Sequence, residues 1–418
     1  MTKALHTPAG AAATRGTRLR PWLVRVHRWV GLAIAPFLVV AALTGSAIAF
    51  REELDAWLNP DLFEATASGT PLSPSEIVAK VEAADPQVRV FRVPLPHEPG
   101  EALEVGVQPR IDPATRRPFA IDHNEVFVDP VTGAVLGRRL FGAFRIDRPH
   151  LMPMLYQLHF SLMTPARWGI WLLGGVAILW FLDGFVAIVL TFPRARPFLA
   201  HWRTAWRIKR GASPYRLNLD LHRAGGLWLW ALLLILAFTG AAINLNVEAA
   251  RPLVSAFSTL TPSAREQGAP RLRRPPAEPK LGFEGAFAAA RRAIAERGWT
   301  MQPLDATYLR PYGVYFVSVA APGPGHDDGI GHPHLFFDDQ DGTLLRAEVP
   351  GDGSAGDVFL DLQHPLHTGR IAGLAGRIVV CIAGIVTAML TVTGVVLWAA
   401  KRRRARRPRA VMTTVAAE

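Results

Sequence analysis

Histidine stands at the mouth of two membrane-length apolar segments, in His27-Arg28-Trp29-Val30-Gly31-Leu32 and in His222-Arg223-Ala224-Gly225-Gly226-Leu227. Each segment reaches a Thr-Gly pair 17 residues after its histidine, Thr44-Gly45 in the first and Thr239-Gly240 in the second. Imidazole is polar and costly to bury, yet it is a strong ligand for iron. Two further histidines, His159 and His367, sit in Leu-His pairs 208 residues apart. Two imidazoles facing each other across a helix bundle are a common way to hold a b-type haem without cysteine. The single cysteine, Cys381, excludes an intrachain disulfide, a four-cysteine iron–sulfur cluster and a covalent C-x-x-C-H haem site. The four histidines are therefore the candidate ligands of two non-covalent haems, His27 with His222 and His159 with His367. His364, three residues before His367, is a rival ligand if that stretch is helical. Arg28 and Arg223 directly follow one pair, and Arg167 and Arg377 follow the other; these guanidinium groups either offset haem propionates or snorkel to the membrane edge.

The elements that must position these residues are duplicated. Val126-Phe127-Val128-Asp129-Pro130-Val131-Thr132-Gly133 parallels Leu335-Phe336-Phe337-Asp338-Asp339-Gln340-Asp341-Gly342 at an offset of 209, both reading as a strand entering a glycine-closed turn. Arg167 matches Arg377, and Asp183-Gly184 matches Thr393-Gly394, at an offset of 210. Each half reads helix, outer domain, histidine, helix. In the first outer domain a helix begins at Ser73-Pro74-Ser75-Glu76, a capping pattern, and strands follow near 88–93, 102–108 and 125–129. In the second, Phe283 to Arg297 is helical, with strands near 305–309, 313–320 and 334–338. Residues 259–280, rich in Pro, Arg and Ala, read as a linker.

Half of the residues are hydrophobic, and four apolar runs at about 24–50, 168–192, 222–247 and 371–399 are long enough to span a bilayer. Charge is nearly absent from their interiors, Asp183 and Arg377 being exceptions. The net charge of +12 is localised: residues 1–28, 193–216 and 401–410 hold six, seven and seven of the 46 Lys and Arg, with no acid among them. That distribution is a topology signal, not a nucleic-acid footprint. It makes the segments 1–23, 193–221 and 400–418 cytoplasmic and leaves 51–165 and 248–368 outside. A cleaved signal peptide ending near Ala47-Ile48-Ala49 is the competing reading of the N-terminus, disfavoured by the recurrence of the pattern at 222. The expected fold is an integral membrane α-helical protein of four transmembrane helices, a duplicated helix–domain–helix unit with two small outer α+β domains.

Other polar groups carry weaker signals. Asp183, deep in an apolar run, is a functional candidate by position, although its neutral counterpart Thr393 favours a packing or local hydrogen-bond role. The loop from His326 to His334 could bind a metal through His326, His332 and His334, or be a solvated loop. Tryptophans such as Trp22, Trp29, Trp168, Trp228 and Trp398 fit an interfacial belt.

These features resemble a known family. The Phe-x-Asp-x-x-x-Gly strand–turn signatures resemble PepSY domains, and the His-Arg-x-x-Gly-Leu helix starts with the Leu-His motifs resemble the PepSY-associated transmembrane family, over about 20–400. The family includes inner-membrane ferrisiderophore reductases of Gram-negative bacteria. The resemblance implies a multi-pass inner-membrane protein with both termini cytoplasmic and two periplasmic domains. It also implies two haem b groups on His27, His222, His159 and His367, and reduction of a ferric siderophore or other periplasmic ferric acceptor. Membrane lipid surrounds it and nucleic acid is not a partner. No flavin or nicotinamide fingerprint exists in the chain, so a quinol or a cytoplasmic reductase would supply electrons. A non-redox membrane regulator with PepSY-like modules, or a transporter, are the alternatives.

Overall fold

The computed structural model describes residues 15–96, 99–262, 278–323 and 328–406. In chain order its helices include α1 (Arg15–Ile48), α2 (Arg51–Leu58), α3 (Pro74–Ala84), α4 (Leu151–Ser161), α5 (Trp168–Thr191), α6 (Pro214–Trp228), α7 (Trp230–Asn244), α8 (Gly282–Glu296), α9 (Gln363–Thr368) and α10 (Gly373–Arg406), with short helical turns between some of them. The chain forms two compact units. One comprises residues 1–46, 171–241 and 382–418; the other comprises 47–170 and 242–381.

Three helical stretches in the described residues, Leu19–Ile48, Trp168–Thr191 and Arg370–Ala405, are long and apolar enough to cross a membrane. The third expected span is not a straight helix. It is the pair α6 and α7, bent by 70° at Leu229, and counts as a fourth crossing only if the pair is one span. The break follows Gly225-Gly226, where two residues without side chains weaken the helix. It is fixed by the Trp230 indole, which donates to the Gly184 carbonyl of α5 at 2.9 Å. Thr44 and Thr239 are both buried and donate to the carbonyls four residues back, at 2.6 and 2.8 Å, so the Thr-Gly repeats serve helix packing.

The second unit holds one antiparallel eight-stranded sheet, ordered β4-β3-β2-β1-β5-β6-β7-β8. Its strands are β1 (Val88–Pro94), β2 (Leu103–Pro109), β3 (Glu125–Val128), β4 (Val135–Arg139), β5 (Gln302–Leu309), β6 (Val314–Ala320), β7 (His334–Asp338) and β8 (Leu344–Glu348). The strands expected from patterning are present; β4 and β8, short and only partly buried, are additions. Each half supplies a four-stranded meander. The two meanders are not separate modules, because β1 and β5 pair through Arg92–Thr307, Val93–Ala306 and Pro94–Asp305. That pairing removes two exposed strand edges. One face of the sheet is covered by α3 and α8 in a single core built from Ile77, Val81, Phe283, Phe287 and the inward Val, Tyr and Phe side chains of the strands. Alanines at 286, 289, 290 and 293 bring α8 close to its neighbours. The capping pattern at Ser73 is realised: its hydroxyl accepts from the Glu76 amide while the Glu76 carboxylate accepts from the Ser73 amide.

Candidate functional site: two facing histidine pairs

In the first unit, α1 carries His27 and α6 carries His222, and their ring centres lie 6.1 Å apart with planes inclined by 54°. Each imidazole is held through Nδ1. His27 Nδ1 donates to Asp183 Oδ2 of α5 at 2.7 Å. His222 Nδ1 is 2.9 Å from the Leu390 carbonyl and 3.2 Å from Thr393 Oγ1, both on α10. A carbonyl only accepts, so His222 carries its proton on Nδ1 and offers the Nε2 lone pair. Asp183 and Thr393, the repeat-related pair, therefore do the same task with different chemistry: each orients the histidine of its own half. Gly394 sits against the His222 ring, where an added Cβ would lie 3.1 Å from Cε1.

Asp183 is buried, and its other oxygen, Oδ1, has no hydrogen-bond partner. A carboxylate in an apolar span is costly unless a positive charge balances it. His27 Nδ1, at 2.7 Å, is the group that meets this carboxylate.

The second unit holds the other pair. His159 and His367 have ring centres 6.2 Å apart and planes inclined by 49°. Neither lies on a spanning helix: His159 is on α4 and His367 on α9, each a short helix preceding a span. Both short helices stop on left-handed backbone, at Leu162 (φ 51°) and Gly369 (φ 80°). Both then fold back tightly onto the next helix. A Cβ on Gly169 would fall 1.7 Å from the Ser161 carbonyl oxygen, and one on Gly376 would fall 2.0 Å from the Gly369 carbonyl oxygen. The ring facing His159 is that of His367; His364, one turn earlier, is exposed.

Three of the four candidate arginines have carboxylate partners. Arg167 pairs with Glu248 at 2.9 Å, and Arg377 pairs with Glu53 at 2.6 Å while also donating to the Ala49 carbonyl at 2.8 Å. Glu53 and Glu248 are 195 residues apart, the spacing of His27 and His222, so each half's arginine reaches the other half's glutamate. Arg223 donates to the fully buried Asp220 at 2.9 Å. Arg28 is half-buried on α1 beside His27.

In the His326–His334 loop, His332 and His334 have ring centres 5.0 Å apart, while His326 lies outside the described residues. Burial, reinforced by His332, pushes the His334 imidazole down to about 4, so it is neutral at physiological pH. Among the described residues no group of three or more His, Cys, Asp or Glu is placed to hold a metal ion. One buried charge cluster left no periodic trace in the sequence. Arg139 of β4 meets Asp55 at 2.7 Å, Glu125 at 2.6 Å and Glu104 at 3.4 Å, and stacks over Phe127 at 4.9 Å.

Apolar spanning helices joined to an antiparallel sheet domain define a multi-pass membrane protein. The chain belongs to the family described as the PepSY-associated TM region, whose family model matches residues 24–401. No curated protein matches the chain.

Proposed function

We propose that the two histidine pairs each hold one haem b, and that the protein carries electrons across the inner membrane to a periplasmic ferric acceptor, a ferric siderophore being the acceptor class favoured. The observation that carries this reading is the pairing itself: two sets of facing imidazoles, with the inner pair fixed through Nδ1. Two imidazoles that would hold one iron through nitrogens at about 2.0 Å each would have ring centres about 6 Å apart. The separations of 6.1 and 6.2 Å match that span. Among the described residues each site offers a pair of histidines, a donor set that would suit a haem.

Haem at these sites would supply one-electron transfer, and reduction of a ferric acceptor would loosen hard oxygen ligands that favour Fe(III). The chain's own residues do the rest. His27 and His222 would hold the iron through Nε2; Asp183 keeps the His27 proton on Nδ1, and the Leu390 carbonyl does the same for His222. The Asp183 carboxylate would also counterbalance a ferric centre held there. With the basic segments facing the cytoplasm, the His27–His222 pair belongs to the donor side and the His159–His367 pair to the acceptor side. The donor is a quinol or a cytoplasmic reductase.

The test is a reduced-minus-oxidised visible spectrum of the purified protein with haem quantified per chain. Two haems per chain are expected, falling to one in His27→Ala and in His367→Ala, and ferric siderophores should reoxidise the reduced protein. A protein purified without haem after expression with adequate haem supply would overturn the reading. Retention of both haems in both variants would overturn the ligand assignment.

A further inference from the structure

We propose a phosphate-binding pocket in the first unit, at the end of α5 that enters the basic segment 193–216. A cavity of about 410 Å³ is lined there by Arg20, Arg194, Arg223, His201, Phe192 and Thr204, among others, with no Asp or Glu in its wall. The volume lies within the usual range for small-ligand sites and exceeds a bare anion, so it accommodates a phosphate with part of the group it esterifies.

The walls are built, not incidental. Arg20 of α1 donates to the Phe192 and Leu190 carbonyls at 2.9 and 2.7 Å, which pins its guanidinium at the pocket edge. Arg223 donates through Nη2 to Asp220 and to the Thr204 carbonyl, at 2.9 and 3.3 Å. Its Nε is buried with no hydrogen-bond partner. His201 is held by its own Nδ1 donating to the Pro197 carbonyl at 2.9 Å. The Trp202 indole, bonded to Thr191 Oγ1 at 3.0 Å and packed edge-on against Phe192, fixes the segment that carries His201 and Thr204. Guanidinium groups in fixed orientation match the several acceptor oxygens of a phosphate better than the single plane of a carboxylate.

Two sources bring this chemistry to a membrane boundary: the headgroup of an anionic phospholipid and a soluble phosphate ester from the aqueous side. Lipid retention and flavin mononucleotide binding are read without haem, so their outcome is separate from that of the haem assignment.

The experiment has two arms on the full-length protein, run beside Arg194→Glu and Arg223→Gln with circular dichroism to verify folding. In one, native mass spectrometry counts phosphatidylglycerol retained from mixed phosphatidylglycerol–phosphatidylcholine micelles. In the other, protein in phosphatidylcholine nanodiscs is titrated with flavin mononucleotide, with inorganic phosphate as competitor. Retention of phosphatidylglycerol over phosphatidylcholine that drops at least tenfold in the folded variants assigns a lipid headgroup. Flavin mononucleotide binding displaced by phosphate and weakened at least tenfold in the variants assigns a soluble ester. Binding in neither arm, or binding that both folded variants leave intact, overturns the proposal.

Discussion

The inner pair is asymmetric at the level of single atoms. His27 rests on a buried carboxylate and His222 on a carbonyl and a hydroxyl, although the two positions are repeat-equivalent. A carboxylate partner makes an imidazole more basic and favours the ferric state of bound iron. Asp183→Asn is therefore expected to raise the midpoint potential of the inner haem, by about 60 mV for each tenfold change in relative ferric and ferrous affinity. Redox titration followed in the visible band checks this; an unmoved potential would remove Asp183 from the site. Glu125 supplies a pH-dependent term. Burial raises its carboxyl to about 7, with the neighbouring Glu104 charge adding and Arg139 opposing. Three carboxylates, Asp55, Glu104 and Glu125, share Arg139 and Arg92, so the cluster retains a proton. Because the folded value lies above the unfolded one, this stability is complete below about pH 4.5 and is lost as pH rises through about 7. The difference is worth at most about 3 kcal/mol. The melting temperature of the wild type should fall between pH 5 and 8, and Glu125→Gln should flatten that slope.

At the scale of elements, the outer histidines depend on two short helices whose position is set by backbone contact. Gly169 and Gly376 each touch a carbonyl of the preceding segment at a distance that no side chain tolerates. Gly376→Ala must push α9 away from α10, and Gly169→Ala must push α4 away from α5. If the histidine pairs hold haem as proposed, each substitution is expected to cost the haem at His159 and His367 while leaving the one at His27 and His222 in place, read as a fall from two haems per chain to one. Loss of both or of neither would show that the hairpins do not position the outer pair. The sequence placed His159 and His367 near the ends of spanning helices. It did not reveal separate helices, because the left-handed turns at Leu162, Met163 and Ala166 use residues that rarely adopt that backbone. The bend at Leu229 was similarly hidden: an apolar run reads the same whether straight or folded, and the bend is held by a distant carbonyl.

At the scale of the whole molecule, the N-terminal and C-terminal halves of the chain exchange contacts. Arg167 reaches Glu248 and Arg377 reaches Glu53, the two meanders share one sheet through β1 and β5, and α3 and α8 share one core. Neither half should stand alone. A chain ending at residue 241 would expose the β1 edge and the core face that α8 covers, and is expected to aggregate in size-exclusion chromatography in detergent, whereas coexpression of both halves should restore a monodisperse complex. A monodisperse, folded first half would contradict that dependence. The sequence by itself determined the apolar helices, the repeat, the alternating strands and the four histidines, because hydrophobic periodicity and repeated residue types are local and survive without a partner. Only the tertiary structure decided that the histidines face each other in pairs, that Asp183 holds His27, that Arg167 and Arg377 are claimed by glutamates, and that the two meanders are one sheet. Those are contacts between residues up to 324 positions apart, and hydrogen-bond geometry at that range exists only once the chain has folded.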